Sequence, residues 1–98
     1  VTNTTGIPPE LLLAASAVYG VSVNAILGRG RDRAAVLARQ SVIWTLRAET
    51  DMTLTEIGEL LDRDHTSIIA AVASIEAKAV KNVRVALGLA ALRREVAT

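Results

Sequence analysis

Arg63, Asp64, His65, Thr66 and Ser67 are consecutive in this chain of 98 residues, and they bring together a guanidinium, a carboxylate, the single imidazole of the sequence and two hydroxyls. Catalysis is the first chemistry to weigh. Neighbours on one helical turn point in successive directions, so Asp64, His65 and Ser67 cannot line up as orienter, base and nucleophile. There is no cysteine, and the lone histidine has no partner at a metal-ligand spacing, so no enzyme, metal or cofactor is expected. The same groups suit a different task. A carboxylate accepts from the amino group of cytosine, a threonine methyl touches that of thymine, and short polar groups in the first turn of a helix meet base edges in the major groove.

Two helices must position this run. Thr53 and Glu56 have the capping-box spacing, which starts a helix there, and Ile57, Leu60 and Leu61 form its apolar face. Gly58 lacks a Cβ and allows a second helix to cross closely. Asp62-Arg63-Asp64 interrupts the apolar pattern, and Asp64 caps a second helix whose first turn holds His65, Thr66 and Ser67. Ile68, Val72, Ile75 and Ala79 then give a core stripe, opposite a flat face of Thr66, Ala70, Ala73, Ser74 and Ala77. Asp64 therefore has two readings, helix cap and base reader, and both stay open.

The rest of the chain frames this unit. Pro8, Pro9 and Glu10 open a helix that Gly20 stops, Ser22 caps a short helix ended by Gly28, and a long helix runs from Arg33 to Glu49. Asn82 caps a last helix, Val83 to Val96. Residues 1–6 read as a flexible arm and 7–98 as one domain, with the helix-turn-helix over 53–79. The predicted fold is an all-α, compact bundle of about six helices. Apolar residues make up 51% of the chain, yet only Trp44 and Tyr19 are aromatic, so the core must be aliphatic and alanine-rich.

Formal net charge is only +1, but its distribution is uneven. Arg29, Arg31, Arg33, Arg39 and Arg47 stand against Asp32 alone, whereas 49–64 carries six acids and the single base Arg63. The loop Gly28-Arg29-Gly30-Arg31-Asp32-Arg33 reads as a solvated connection or as a glycine-bearing probe that sends an arginine into the minor groove. On the long helix, Arg39, Gln40 and Arg47 share one sector and suit phosphate oxygens. The last helix has two apolar stripes. Val83, Leu87 and Ala90 form one; Val85, Leu89, Leu92 and Val96 form the other and are a candidate contact for a homodimer or protein partner, unless the helix buries both. No uninterrupted apolar run reaches membrane-spanning length, and the N-terminus has no signal-peptide pattern, so a cytoplasmic protein is expected.

At Ala38-Arg39-Gln40, Leu54-x-x-Ile57-Gly58 and above all Arg63-Asp64-His65-Thr66-Ser67-Ile68, the sequence resembles the C-terminal DNA-binding domain of the bacterial replication initiator DnaA. The likeness runs in order over about 7–94. It implies a variant helix-turn-helix like that of the Trp repressor, bound to double-stranded DNA in replication initiation or transcriptional control. Carried onto this chain, it implies base contacts from Arg31, Asp64, His65, Thr66 and Ser67. Phosphate contacts would come from Arg29, Arg33, Arg39, Gln40, Arg47 and Arg63. The family commonly has a histidine and then a lysine where this chain has Ala70 and Ser74, which implies a different DNA site. No G-x-x-x-x-G-K-S/T loop is present, so the chain is not by itself an ATP-driven initiator. It reads as a piece of a longer protein, or as a small free-standing one from a bacterium, phage or mobile element. The competing reading is a helical interaction module that kept the fold and lost specific DNA binding.

Overall fold

A computed structural model describes residues 6–96, so the expected arm at 1–6 lies, apart from Gly6, outside the described residues. Six helices are present: α1 (Pro9–Tyr19), α2 (Val23–Leu27), α3 (Arg33–Glu49), α4 (Leu54–Leu61), α5 (His65–Lys81) and α6 (Val83–Val96). Local chemistry sets most of their ends. Proline occupies the first turn of α1, and Gly20 closes that helix at φ +67°, a left-handed value that costs glycine nothing. Ser22 Oγ accepts from the Ala25 N–H to start α2, and Asn82 Oδ1 accepts from the Arg84 N–H to start α6. The one acid of the arginine-rich segment, Asp32, caps α3 through Ala35 N–H.

α3 is the central element and packs against each of the other five helices. Its Ala38, Val42 and Leu46 are fully buried and meet Leu11 and Ala15 of α1, Ile26 of α2, Ile57 and Leu61 of α4, Ile68 of α5 and Leu92 of α6. A smaller cluster of Ile75, Val85 and Leu89, joined by Leu37, Trp44 and Ala79, locks the C-terminal half of α5 to α6. A helix surrounded on all sides must also bury polar groups. Ser41 and Thr45 are buried and satisfied, Ser41 Oγ donating to Leu37 O and Thr45 Oγ1 to Ser41 O. Tyr19 Oη lies 2.7 Å from Ser41 Oγ and joins α1 to α3.

The structure corrects the expected partner surface on α6. Val85, Leu89 and Leu92 are buried, and Val96 packs on the main core. They face the protein's own interior because α6 lies across α1, α3 and α5. Its other stripe is outward: Val83 and Leu87 are exposed, next to exposed Val80 at the end of α5.

Gly58 is required by a different neighbour from the one expected. A Cβ there would lie 2.4 Å from the carbonyl oxygen of Arg63, in the turn, rather than against a crossing helix. The turn folds back so far that Arg63 N–H donates to Gly58 O at 2.7 Å, with Asp62 at φ +55°. Backbone cannot yield as a side-chain tip can. Gly58→Ala should therefore cost about 1–3 kcal/mol in a urea titration, whereas Gly30→Ala, where a Cβ meets nothing within 4 Å, should leave the midpoint nearly unchanged.

Candidate nucleic-acid interface

α4 and α5 form the helix-turn-helix. Thr53 and Glu56 make the expected reciprocal capping box at the start of α4. Asp64 caps α5, with Oδ1 accepting from Ser67 N–H at 2.8 Å. His65, Thr66 and Ser67 are exposed in the first turn that follows, and Ala70 and Ala73 continue the exposed side. Hydrogen bonds from Ser67 hold the Asp64 carboxyl below its ordinary range, helped by the charge of His65. Bonds from Thr53 do the same for Glu56.

The 28–32 loop is fastened to this unit, and arginines do the fastening. Arg39 is 7% exposed. Its Nε donates to Ile26 O at 2.8 Å, its Nη2 to Ala25 O at 2.9 Å and its Nη1 to Gly30 O at 3.2 Å. Arg63 reaches from the α4–α5 turn, donating through Nη2 to Gly28 O at 2.9 Å and through Nη1 to Leu61 O at 3.2 Å. Arg29 reaches the other way, with Nη2 2.6 Å from Asp62 O and 2.9 Å from Asp62 Oδ2. Burial lowers the pKa of Arg39, and the nearby charge of Arg63 adds to that effect. Arg63 is lowered first by burial and then by Arg29, with Asp62 opposing.

These bonds give Arg39 a structural role that its place on the helix did not announce. A guanidinium enclosed in the protein and aimed at three carbonyls positions the loop. Arg63 and Arg29 likewise bind this chain's own backbone, Arg63 through Nη1 and Nη2 and Arg29 through Nη2 alone. Arg29, Arg31, Arg33 and Arg47 are exposed. Gln40 is half-buried beside a groove of about 440 Å³ that runs between α3 and α5 and is also lined by Ile43, Ser67, Ala70 and Ser74, with Arg39 and Arg63 on its wall. Sequence reading missed Lys78, whose Nζ donates to Gln40 Oε1 at 3.0 Å. It also missed Arg93, which pairs with Glu49 and lies over the Trp44 ring. Neither contact has a local pattern, because each joins residues far apart in the chain.

A family model for the bacterial DnaA protein helix-turn-helix matches residues 8–75. The chain belongs to that family. It is similar to the chromosomal replication initiator protein DnaA of Herpetosiphon aurantiacus, 58% identical over 52 residues, which are 52% of this chain and 11% of that protein. Over longer stretches it is 36% identical to the protein of the same name from Roseiflexus castenholzii, covering 91% of this chain and 19% of that one. It is 34% identical to that of Deinococcus radiodurans, covering 89% and 19%. The chain thus spans less than a fifth of the length of these relatives. The DnaA family match takes in α1 to α4 and α5 as far as Ile75, and leaves the end of α5 and α6 outside it. Among the described residues no helix is long and apolar enough to cross a membrane.

Two outcomes follow from this geometry. Arg39→Met should lower stability by about 2–3 kcal/mol, since it strands buried carbonyls that met a charged donor, and should speed amide exchange in the 28–32 loop. The folded carboxylates of Asp64 and Glu56 hold protons less tightly than in the unfolded chain. Their contribution is therefore complete above about pH 5 and is lost as pH falls through about 4 and below. Melting temperature followed from pH 7 to pH 3 should show that fall, and Asp64→Asn with Glu56→Gln should flatten it.

Proposed function

We propose that this domain binds double-stranded DNA in a sequence-specific way, with the first turn of α5 in the major groove and Arg31 in the adjacent minor groove. The observation that carries this reading is the tethering of the 28–32 loop to the α4–α5 turn by Arg63 and Arg29. A minor-groove probe and a base-reading turn are thereby held beside each other, although about 35 residues separate them in the chain. His65, Thr66 and Ser67 supply donors, acceptors and a methyl for base edges, and Asp64 keeps its second oxygen for a cytosine amino group. Arg33, Gln40 and Arg47 supply phosphate contacts, which fix register without reading sequence.

Membership of the DnaA family supports a role in replication initiation at the bacterial chromosome, hence in the nucleoid. Transcriptional control is the finer alternative. Ala70 and Ser74 give the second turn of α5 no long polar side chain, so base reading concentrates in its first turn, and the preferred site differs from the one the family usually reads. For the interaction-module reading, the stripe expected to be its contact lies in the core, while Val83 and Leu87 of the other stripe are exposed.

The test is fluorescence anisotropy on duplexes selected from a random pool, across a salt series. Binding should weaken with a negative log–log salt slope. Arg31→Ala and His65→Ala should each lower affinity by about 5- to 100-fold, the worth of one base contact, and relax the preference at the position read. Absence of any duplex binding at low salt would sink the reading.

A further inference from the structure

We infer that Lys78 is a phosphate contact which carries the duplex interface past Ala70 and Ser74 to the C-terminal half of α5. The inference deepens the DNA-binding reading above and rests on it. At 100° per residue, Ser67, Ser74, Lys78 and Lys81 fall within roughly 60° of one another around the axis of α5, Lys78 only about 20° from Ser67. Lys78 therefore continues the side of the helix on which Ser67 lies, and that side forms one wall of the α3–α5 groove.

Three observations separate Lys78 from an ordinary surface lysine. First, its ammonium is held in place: Nζ donates to Gln40 Oε1 at 3.0 Å, in a part-buried contact across 38 residues of sequence. Freezing a lysine's rotamers costs entropy, so an exposed one normally waves in solvent. Second, its partner is a neutral amide. Among the described residues the ion pairs are Arg29 with Asp62 and Arg93 with Glu49, and Glu76, the acid two residues before Lys78, accepts from Trp44 Nε1 instead. The positive charge is thus positioned and left without a carboxylate, with further N–H groups able to meet an oxygen anion. Third, the charge is not alone. Arg33, Lys78 and Lys81 line one cavity of about 280 Å³ with Leu37, Asn82 and Val85, and no acid is among them.

A favourable field at the C-terminal end of α5 accounts for a lysine near that end but not for its tether to α3. The tether joins Lys78 to Gln40, which also faces the groove beside Ser67. Gln40 and Lys78 thus form a two-residue donor pair, amide and ammonium, on a line that continues from the base-reading turn. The ligand chemistry that fits is a regularly spaced polyanion lying along α5, as the sugar-phosphate strand of the same duplex does. Lys78 lies beyond Ile75, where the DnaA family match ends, and Gln40 lies within it.

The experiment uses the duplex selected above and compares the wild type with Lys78→Met, Lys78→Arg and His65→Ala over a salt series. Lys78→Met should weaken binding by about 3- to 10-fold near physiological salt and reduce the log–log slope by about 0.9, the signature of one phosphate contact. The loss should be equal on the selected and a scrambled duplex, Lys78→Arg should restore it, and the melting temperature should hold. If His65→Ala weakens binding while Lys78→Met matches the wild type, the inference is overturned and the DNA-binding reading stands. A Lys78→Met protein that loses affinity and melting temperature with an unchanged slope also overturns it, by showing a structural role. Failure of the wild type to bind any duplex removes both.

Discussion

Carbonyl oxygens at the end of α2 and in the 28–32 loop have no helix to continue into, and two guanidinium groups from elsewhere in the chain complete them. Arg39 comes from α3 and Arg63 from the α4–α5 turn, and together they reach Ala25, Ile26, Gly28 and Gly30. A loop with two glycines is costly to order, since glycine loses the most backbone freedom. Charge-assisted hydrogen bonds are about twice as strong as neutral ones, and guanidinium offers five N–H groups in a fixed fork. That combination holds an otherwise loose segment against the helix-turn-helix, and the placement of Arg31 beside it depends on these bonds.

The arrangement places like charges close together. Burial of Arg39 and Arg63, and the presence of neighbouring guanidinium groups, destabilise the charged forms. The cost is tolerable because arginine's pKa starts far above neutral pH and the carbonyl bonds offset desolvation. The Arg29–Asp62 pair adds little by itself, since both side chains are largely exposed and such pairs contribute about 1 kcal/mol or less. Its value is geometric: Asp62 sits at the left-handed end of α4, so the pair joins the loop to the sharpest point of the turn.

Much of the architecture was legible from local pattern. Caps at Ser22, Thr53, Asp64 and Asn82, proline at the start of α1 and glycine at its end act over three or four residues, so sequence displays them directly. The exposed first turn of α5 and the buried Ile68 and Ile75 follow from helical period in the same way. The arginine contacts were not legible. Arg39, with Gln40 and Arg47 around one sector of α3, has the pattern of a phosphate strip, and helical period cannot tell a side facing DNA from one facing another part of the same chain.

The sequence alone determined the six helices, most of their limits, the helix-turn-helix and its family, because capping, glycine and proline geometry and apolar period are short-range and belong to the residues themselves; α5 runs on to Lys81, past the expected end at 79. Tertiary structure decided which cations face outward and which α6 stripe is core. It also decided that Gly58 makes room for the turn, and that Lys78 is tied to Gln40. These depend on how helices far apart in the chain cross around α3, where a side chain's partner is set by packing and desolvation and leaves no trace in its neighbours in sequence.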